Sequence, residues 1–248
     1  MINILVPLAG QGSRFAKAGY KKPKPFIDML GKPMIVRVLE NLKIDDARYI
    51  LVVRKEHMDA EPEIVRQISE NYPVDWIVID KLTEGTASTI LHARKLINND
   101  TPLLIANSDQ IVDGGVSLML QNAAASGLDG SILCFVNRAM DPKWSFAKLN
   151  DDKFVVEVKE KEAISDLATV GIYYFDKGTD FVNGAIDMIV RNERVSGEFY
   201  TCPVYNYLIQ AGKKIGVYVI KPNAMHGLGT PDDLVCYIKL MNANLARK

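Results

Sequence analysis

The sequence predicts an α/β protein built on a mostly parallel, Rossmann-like sheet flanked by helices, and three observations carry that expectation. Short β-branched runs alternate with segments of helical spacing, the rhythm of successive βαβ units. The strands read almost continuously apolar, as in NILVPL, which suits a sheet covered on both faces. The first strand also runs straight into a loop with two glycines and an arginine, LAGQGSRF, Leu8 to Phe15.

Taken in order, the expected strands are INILVPL, RYILVV, VDWIVID, PLLIAN and GSILCFV. Between them MIVRVLENL, PEIVRQISENY and ASTILHARKLI place apolar residues at helical spacing. After about Gly130 the pattern turns strand-rich, with SFAKL, KFVVEVKE and ATVGIYYFD. Helical DFVNGAIDMIVRN, CPVYNYLIQ and PDDLVCYIKLMNANL follow. No low-complexity linker divides these parts, so residues 1–248 read as one domain, with 131–248 as a strand-rich half built onto 1–130.

Composition narrows the function classes. The 248 residues are 48% hydrophobic and 24% charged, with Lys plus Arg and Asp plus Glu equal at 30 each. A balanced chain has no global field that attracts nucleic acid or an anionic membrane, so any bound phosphate needs a local site. Cys134, Cys202 and Cys236 form no CxxC pair, which argues against a zinc site or disulfide framework. No stretch has membrane-spanning length, and no basic region with an apolar signal core opens the chain; the expected location is the cytoplasm. A homo-oligomer is left open.

In open α/β sheets ligands bind beyond the carboxyl ends of the strands, and LAGQGSRF lies at such an end. It fails the dinucleotide fingerprint, which needs a third glycine at Phe15, and there is no GK[ST] of a P-loop. Its company is cationic: Arg14 lies inside the loop, and KKPKPF follows, with Pro23 and Pro25 keeping Lys24 on extended backbone. Glycines let backbone N–H groups approach a phosphate, Arg14 offers a fork of donors, and Lys24 adds a point charge. A triphosphate cradle is one reading; a strand-to-helix turn followed by a solvated basic loop stands level with it on these residues alone.

LAGQGSRF followed by KPKPFIDMLGKPMIVRVLENL resembles the opening signature of the nucleoside-triphosphate transferase family, which includes the sugar-1-phosphate nucleotidylyltransferases. TEGTAST, IANSDQIV, VVEVKEKE, VGIYYFD, GEFYTCPVYNYLI and GLGTPDDL continue the likeness in family order across nearly the whole chain. The resemblance implies a GT-A-like nucleotidyltransferase fold and direct transfer of a nucleotidyl group from an NTP to a phosphorylated acceptor. Pyrophosphate is released with the help of Mg2+. Such chemistry consists largely of in-line positioning and charge neutralisation.

Carried onto this chain, the resemblance assigns the nucleotide to Leu8, Ala9, Gly10, Gly12, Ser13, Arg14, Lys24, Asp80, Gly85, Thr86 and Ser108. Arg14, Lys24 and Lys161 become the catalytic cations. Asp109, at the end of PLLIAN, becomes the metal ligand, although an Asp after a strand is by itself commonly a turn residue. Ser145, Lys161, Gly171 and Glu198 fall to the acceptor. Lys161 is placed ahead of Lys159, which shares its face on an extended strand. Glu198 alone would also suit a charge near the N-terminus of the next helix.

Three departures shape the expected specificity. The family's frequent Gln five residues before Gly85 is Asp80 here, and an ionised carboxylate only accepts hydrogen bonds. That suits the N4 amino group of cytosine and opposes O4 of uracil, so CTP is the expected nucleotide. The alternative has Asp80 capping a turn while Lys81, Thr83 or backbone groups read the base. Trp144 and Ser145 stand where hexose-phosphate enzymes commonly carry Y-G, pointing away from a hexose acceptor. Gly227 occupies the second metal aspartate's position, with His226 beside it. The closest expected function is a cytidylyltransferase for a small non-sugar phosphate such as phosphoglutamine or phosphocholine, of the bacterial capsule-locus kind. A UTP- or dTTP-dependent sugar-1-phosphate enzyme and a non-catalytic nucleotide-binding pseudo-enzyme are the alternatives.

Overall fold

The structure is a computed structural model and describes residues 1–245; the last three positions of the 131–248 half lie outside the described residues. Its strands are β1 (Ile2–Pro7), β2 (Ala47–Arg54), β3 (Val74–Ile79), β4 (Leu103–Ala106), β5 (Gln110–Val112), β6 (Gly130–Val136), β7 (Ser145–Leu149), β8 (Val155–Glu160), β9 (Leu167–Phe175), β10 (Ile215–Ile220) and β11 (Met225–Gly227). The helices are α1 (Ser13–Lys17), α2 (Met34–Asn41), α3 (Lys55–Ala60), α4 (Pro62–Asn71), α5 (Thr86–Leu91), α6 (Arg94–Ile97), α7 (Val116–Ala125), α8 (Gly178–Val190), α9 (Tyr205–Gln210) and α10 (Pro231–Leu245).

Seven strands lie in the order β10-β6-β9-β4-β1-β2-β3, with the β7–β8 hairpin joined to β9. The pairs β1–β2, β1–β4, β2–β3 and β6–β10 are parallel, and β9 runs antiparallel to both β4 and β6. This is the expected α/β architecture, and one sheet continues through both halves of the chain. The apolar strands divide by the two-residue period of the pleat. Ile4, Val6, Leu51 and Leu104 pack into one core layer, while Leu5, Ile50, Val52 and Ile105 pack into the layer on the opposite face. Helix α2 closes the first layer with buried Ile35, Val38 and Leu39, spaced to fall on one helical face. Fully burying each such side chain contributes about 1.5–3 kcal/mol.

Two local arrangements position the site. The ladder of β4 with β9 extends one step past its last pair, with Asn107 N donating to Gly171 O at 2.9 Å. The chain then turns into β5, which pairs antiparallel with β11, Gln110 facing Gly227. Leu228 N donates to Asp109 O at 2.7 Å. Residues more than a hundred positions apart are thereby fixed side by side. Elsewhere, the Glu84–Thr86 turn is tied to the C-terminal half: Phe199 N donates to Glu84 O at 2.7 Å, and Ala87 N to Phe199 O at 3.0 Å.

Candidate active site

The loop after β1 carries the first group of predicted residues. Leu8 and Ala9 are buried beneath it, whereas Gly10, Ser13 and Arg14 are exposed. Gly12 has φ 62, a left-handed conformation that glycine adopts without steric cost, and a Cβ there would lie 3.0 Å from Lys24 Cβ. Glycine therefore lets the KKPKPF segment fold over the loop and brings the Lys24 side chain in. Its ammonium lies 2.5 Å from Asp109 Oδ2, and the pair is partly buried.

This loop lines a cleft of about 610 Å³ together with Lys24, Leu82, Thr83, Gly85, Thr86, Ser108 and Asp109. Of the predicted nucleotide residues, Leu8, Ala9, Gly10, Gly12, Ser13, Arg14, Lys24, Gly85, Thr86 and Ser108 converge on it. Asp80 does not. It is exposed just beyond β3, and Leu82 and Thr83 form the cleft wall in its place. The Thr83 hydroxyl is held against Thr89 Oγ1 at 2.5 Å and donates to Gly85 O at 3.2 Å.

A second cavity of about 550 Å³ adjoins the first, and Arg14, Thr86, Asn107, Asp109 and Gly229 line both. Asp109 thus stands at the junction. Ser145 and Gly171 line the second cavity with Trp144, Glu160, Tyr173 and Tyr200. The Ser145 hydroxyl donates to Glu160. Burial pushes the Glu160 carboxyl above the usual carboxylate range, against the lowering effects of Ser145 and nearby Lys161. Glu198 lies on the wall of the first cleft rather than the second.

Lys161 departs from the expected strand geometry. Strand β8 ends at Glu160, and Lys161 takes a left-handed φ of 58, so it no longer shares a face with Lys159. Its ammonium donates to Tyr200 OH at 2.5 Å and sits 4.6 Å from that ring's centroid. Lys159 lies 3.7 Å from Glu157 in an exposed pair. Neither lysine lines either of these two cavities, but Tyr200 lines the second.

His226 also takes a place of its own. Its Nε2 lies 2.8 Å from Asp113 Oδ2, while its neighbours Met225 and Gly227 on β11 line the second cavity. A Cβ on Gly227 would stand 4.0 Å from Asp233 Cγ. Asp233 accepts from Thr230 N at 3.0 Å and Thr230 Oγ1 at 2.7 Å, a capping-box arrangement at the start of α10. The residues not anticipated from sequence are Asn107, Gln110, Tyr173, Tyr200 and Asp233. All five lie in the stretches that carry the family likeness, IANSDQIV, VGIYYFD, GEFYTCPVYNYLI and GLGTPDDL, but none of them is a residue the likeness assigned a role.

The donor set fits a hard divalent cation at Asp109. The carboxylate already holds one cationic group, the Lys24 ammonium, and Gly229 leaves room beside it: a Cβ there would lie 3.4 Å from Asp109 Oδ2. No cluster of three or more His, Cys, Asp or Glu side chains surrounds such an ion among the described residues. Asp109 would be the carboxylate ligand of such an ion, with water completing the shell of a cation that keeps much of its hydration.

The glycine loop after β1, Arg14 and Lys24 thus line a cleft that meets a second cavity at the Asp109 carboxylate. The chain belongs to the Nucleotidyl transferase family, whose family model matches residues 4–235. It is 27% identical over 223 residues to the Bifunctional protein GlmU of Methanococcus maripaludis strain C5, covering 87% of this chain and 49% of that protein. It is 24% identical over 288 residues to UTP--glucose-1-phosphate uridylyltransferase 2 of Staphylococcus saprophyticus, covering 97% and 98%. The nucleoside-diphosphate-sugar pyrophosphorylase of Vibrio cholerae RC9 superposes with a TM-score of 0.80 at 25% identity, over 95% of this chain and 99% of that one. The chain spans about half the length of the GlmU proteins it matches. No helix among the described residues is long and apolar enough to cross a membrane.

Proposed function

We propose that this protein transfers a nucleotidyl group from a nucleoside triphosphate to the phosphate of a small acceptor, with release of pyrophosphate. The observation that carries this reading is the junction of the two cavities at Asp109, with Arg14 on both linings and Lys24 in contact with the carboxylate. A triphosphate laid over Gly10 to Arg14 directs its α-phosphorus to that junction. An acceptor phosphate oxygen attacks there, the bond from the α-phosphorus to the bridging oxygen breaks, and the electron pair leaves on pyrophosphate. Arg14 and Lys24 bind the phosphates and offset the charge growing on the leaving group. Asp109 holds Mg2+, which supplies charge neutralisation on the phosphate oxygens when bound. Lys161, gripped by Tyr200 at the rim of the second cavity, reaches the acceptor phosphate. The whole chain acts as one nucleotidyltransferase domain in the cytoplasm.

The narrower reading is CTP as donor and a non-sugar acceptor, in capsule or surface polysaccharide synthesis. Trp144 and Ser145 in the second cavity favour it on the acceptor side. On the nucleotide side it rests on the carboxylate at position 80, which lies outside the cleft wall. The alternative is a UTP- or dTTP-dependent sugar-1-phosphate enzyme, and among the relatives the uridylyltransferase named above, which carries UTP and glucose 1-phosphate in its name, supports the sugar acceptor and UTP. Product analysis with CTP, UTP, dTTP and GTP in turn, Mg2+ and a panel of phosphorylated metabolites decides between them. If Asp80 selects cytosine, CTP exceeds UTP by roughly tenfold to a hundredfold in kcat/KM, the scale of one base-edge contact, and Asp80→Gln narrows the gap. Equal use of UTP or dTTP sinks the cytidylyl reading. Nucleotide binding without pyrophosphate release from any combination leaves a pseudo-enzyme.

A further inference from the structure

One residue on the lining of the second cavity carries a buried hydrogen-bond acceptor that no group among the described residues satisfies. Gln110 lines it, and the side-chain Oε1 is buried with no hydrogen-bond partner among the described residues. Its backbone is fixed by the β5–β11 pairing with Gly227. The side chain is packed against Gly171, where a Cβ would stand 2.3 Å from Gln110 Oε1 and 2.3 Å from Asn107 Nδ2. Any residue larger than glycine at 171 would drive both amides out of their places, so the backbone has made room for them. Across the cavity Glu160 accepts from Ser145 and joins no ion pair among the described residues. A buried carbonyl left without a donor loses free energy comparable to a broken hydrogen bond, so this wall is complementary to a ligand that brings donors.

We infer that Gln110 determines acceptor specificity, its side-chain carbonyl accepting a hydrogen bond from an N–H or O–H on the non-phosphate part of the acceptor. The inference rests on the nucleotidyl-transfer reading and narrows its substrate class. An acceptor whose far end carries only methylated nitrogen leaves Gln110 Oε1 unpaired and is disfavoured. Amines and hydroxyls satisfy it equally in kind, and the acceptor panel separates them.

The test measures kcat and KM with an equimolar mixture of CTP, UTP, dTTP and GTP, Mg2+ and four acceptors. Ethanolamine phosphate carries N–H donors, glycerol 3-phosphate and glucose 1-phosphate carry O–H donors, and phosphocholine carries neither beyond its phosphate. The wild type is expected to prefer a donor-bearing acceptor over phosphocholine. Gln110→Leu should raise KM for that acceptor about tenfold or more, collapse its preference over phosphocholine, and leave KM for the nucleotides within twofold. Gln110→Met, closer in shape, repeats the measurement if the leucine variant melts early. Phosphocholine as the best acceptor, or an unchanged acceptor KM in a folded variant, overturns the inference while leaving nucleotidyl transfer intact. Absence of pyrophosphate release by the wild type with every acceptor overturns both.

Discussion

The Lys24 ammonium lies 2.5 Å from Oδ2 of Asp109, at the place where the two cavities meet. The two residues are 85 positions apart, and their meeting depends on Gly12 letting the segment after α1 fold inward and on β5 pairing with β11. The pair keeps a cation and an anion poised at one point, so on the proposed function a bound metal–triphosphate complex would exchange the partners of both groups rather than create new charge there.

Lys24→Ala should therefore act on turnover more than on folding. Loss of an oriented cation at a developing negative charge costs roughly two or more powers of ten in kcat. A partly exposed ion pair contributes at most about 1 kcal/mol, so the melting temperature should move by only a few degrees. Steady-state kinetics beside a thermal melt checks both; near-normal kcat in a folded variant removes Lys24 from the chemistry.

Asp109→Asn keeps the shape of the side chain and removes its charge. Metal affinity in the presence of a nucleoside triphosphate should fall, and activity should return in part at raised Mn2+ or Mg2+. Mn2+ titration followed by electron paramagnetic resonance reads the binding directly. Unchanged Mn2+ affinity would make Asp109 a turn residue.

Glu160 lines the second cavity and is largely buried there, so its ionisation bears on stability. Burial holds its carboxyl pKa above the usual range, so its folded-state pKa exceeds the unfolded one. Stability from this group is then full below the unfolded value and is lost as pH rises through the folded value. Glu160→Gln should melt roughly 1–3 °C higher than wild type near neutral pH, with the difference vanishing in acid. The same variant should bind the acceptor less well. A lower melting temperature at neutral pH would contradict the burial of an ionised Glu160.

Local patterns explain what the sequence made legible. The alternation of β1 and the helical spacing of α2 are set by residues a few positions apart, and the Leu8 to Arg14 loop, Ser108 and Asp109 sit at strand ends where a parallel sheet places its ligands. Long-range or single-residue geometry explains the rest. β11 is three residues long and shows itself only through its pairing with β5, so Gln110 and Gly227 had no visible partner in sequence. β10, IGVYVI, was not anticipated, and the helix expected over ASTILHARKLI breaks into α5 and α6 around His92 and Ala93. One left-handed residue, Lys161, turns its side chain onto Tyr200, and a turn of the chain leaves Asp80 outside the wall that Leu82 and Thr83 form. Counting positions from a motif cannot reveal either.

The stereochemical course at the α-phosphorus tests direct transfer at the Asp109 junction most sharply. Turnover of a nucleoside triphosphate bearing one sulfur on its α-phosphorus, with a single defined configuration, gives a product whose configuration phosphorus NMR can assign. In-line attack by an acceptor in the second cavity gives inversion, with one pyrophosphate released for each product formed. Retention would require two successive displacements through a covalent nucleotidyl-enzyme and would contradict direct attack by the acceptor phosphate.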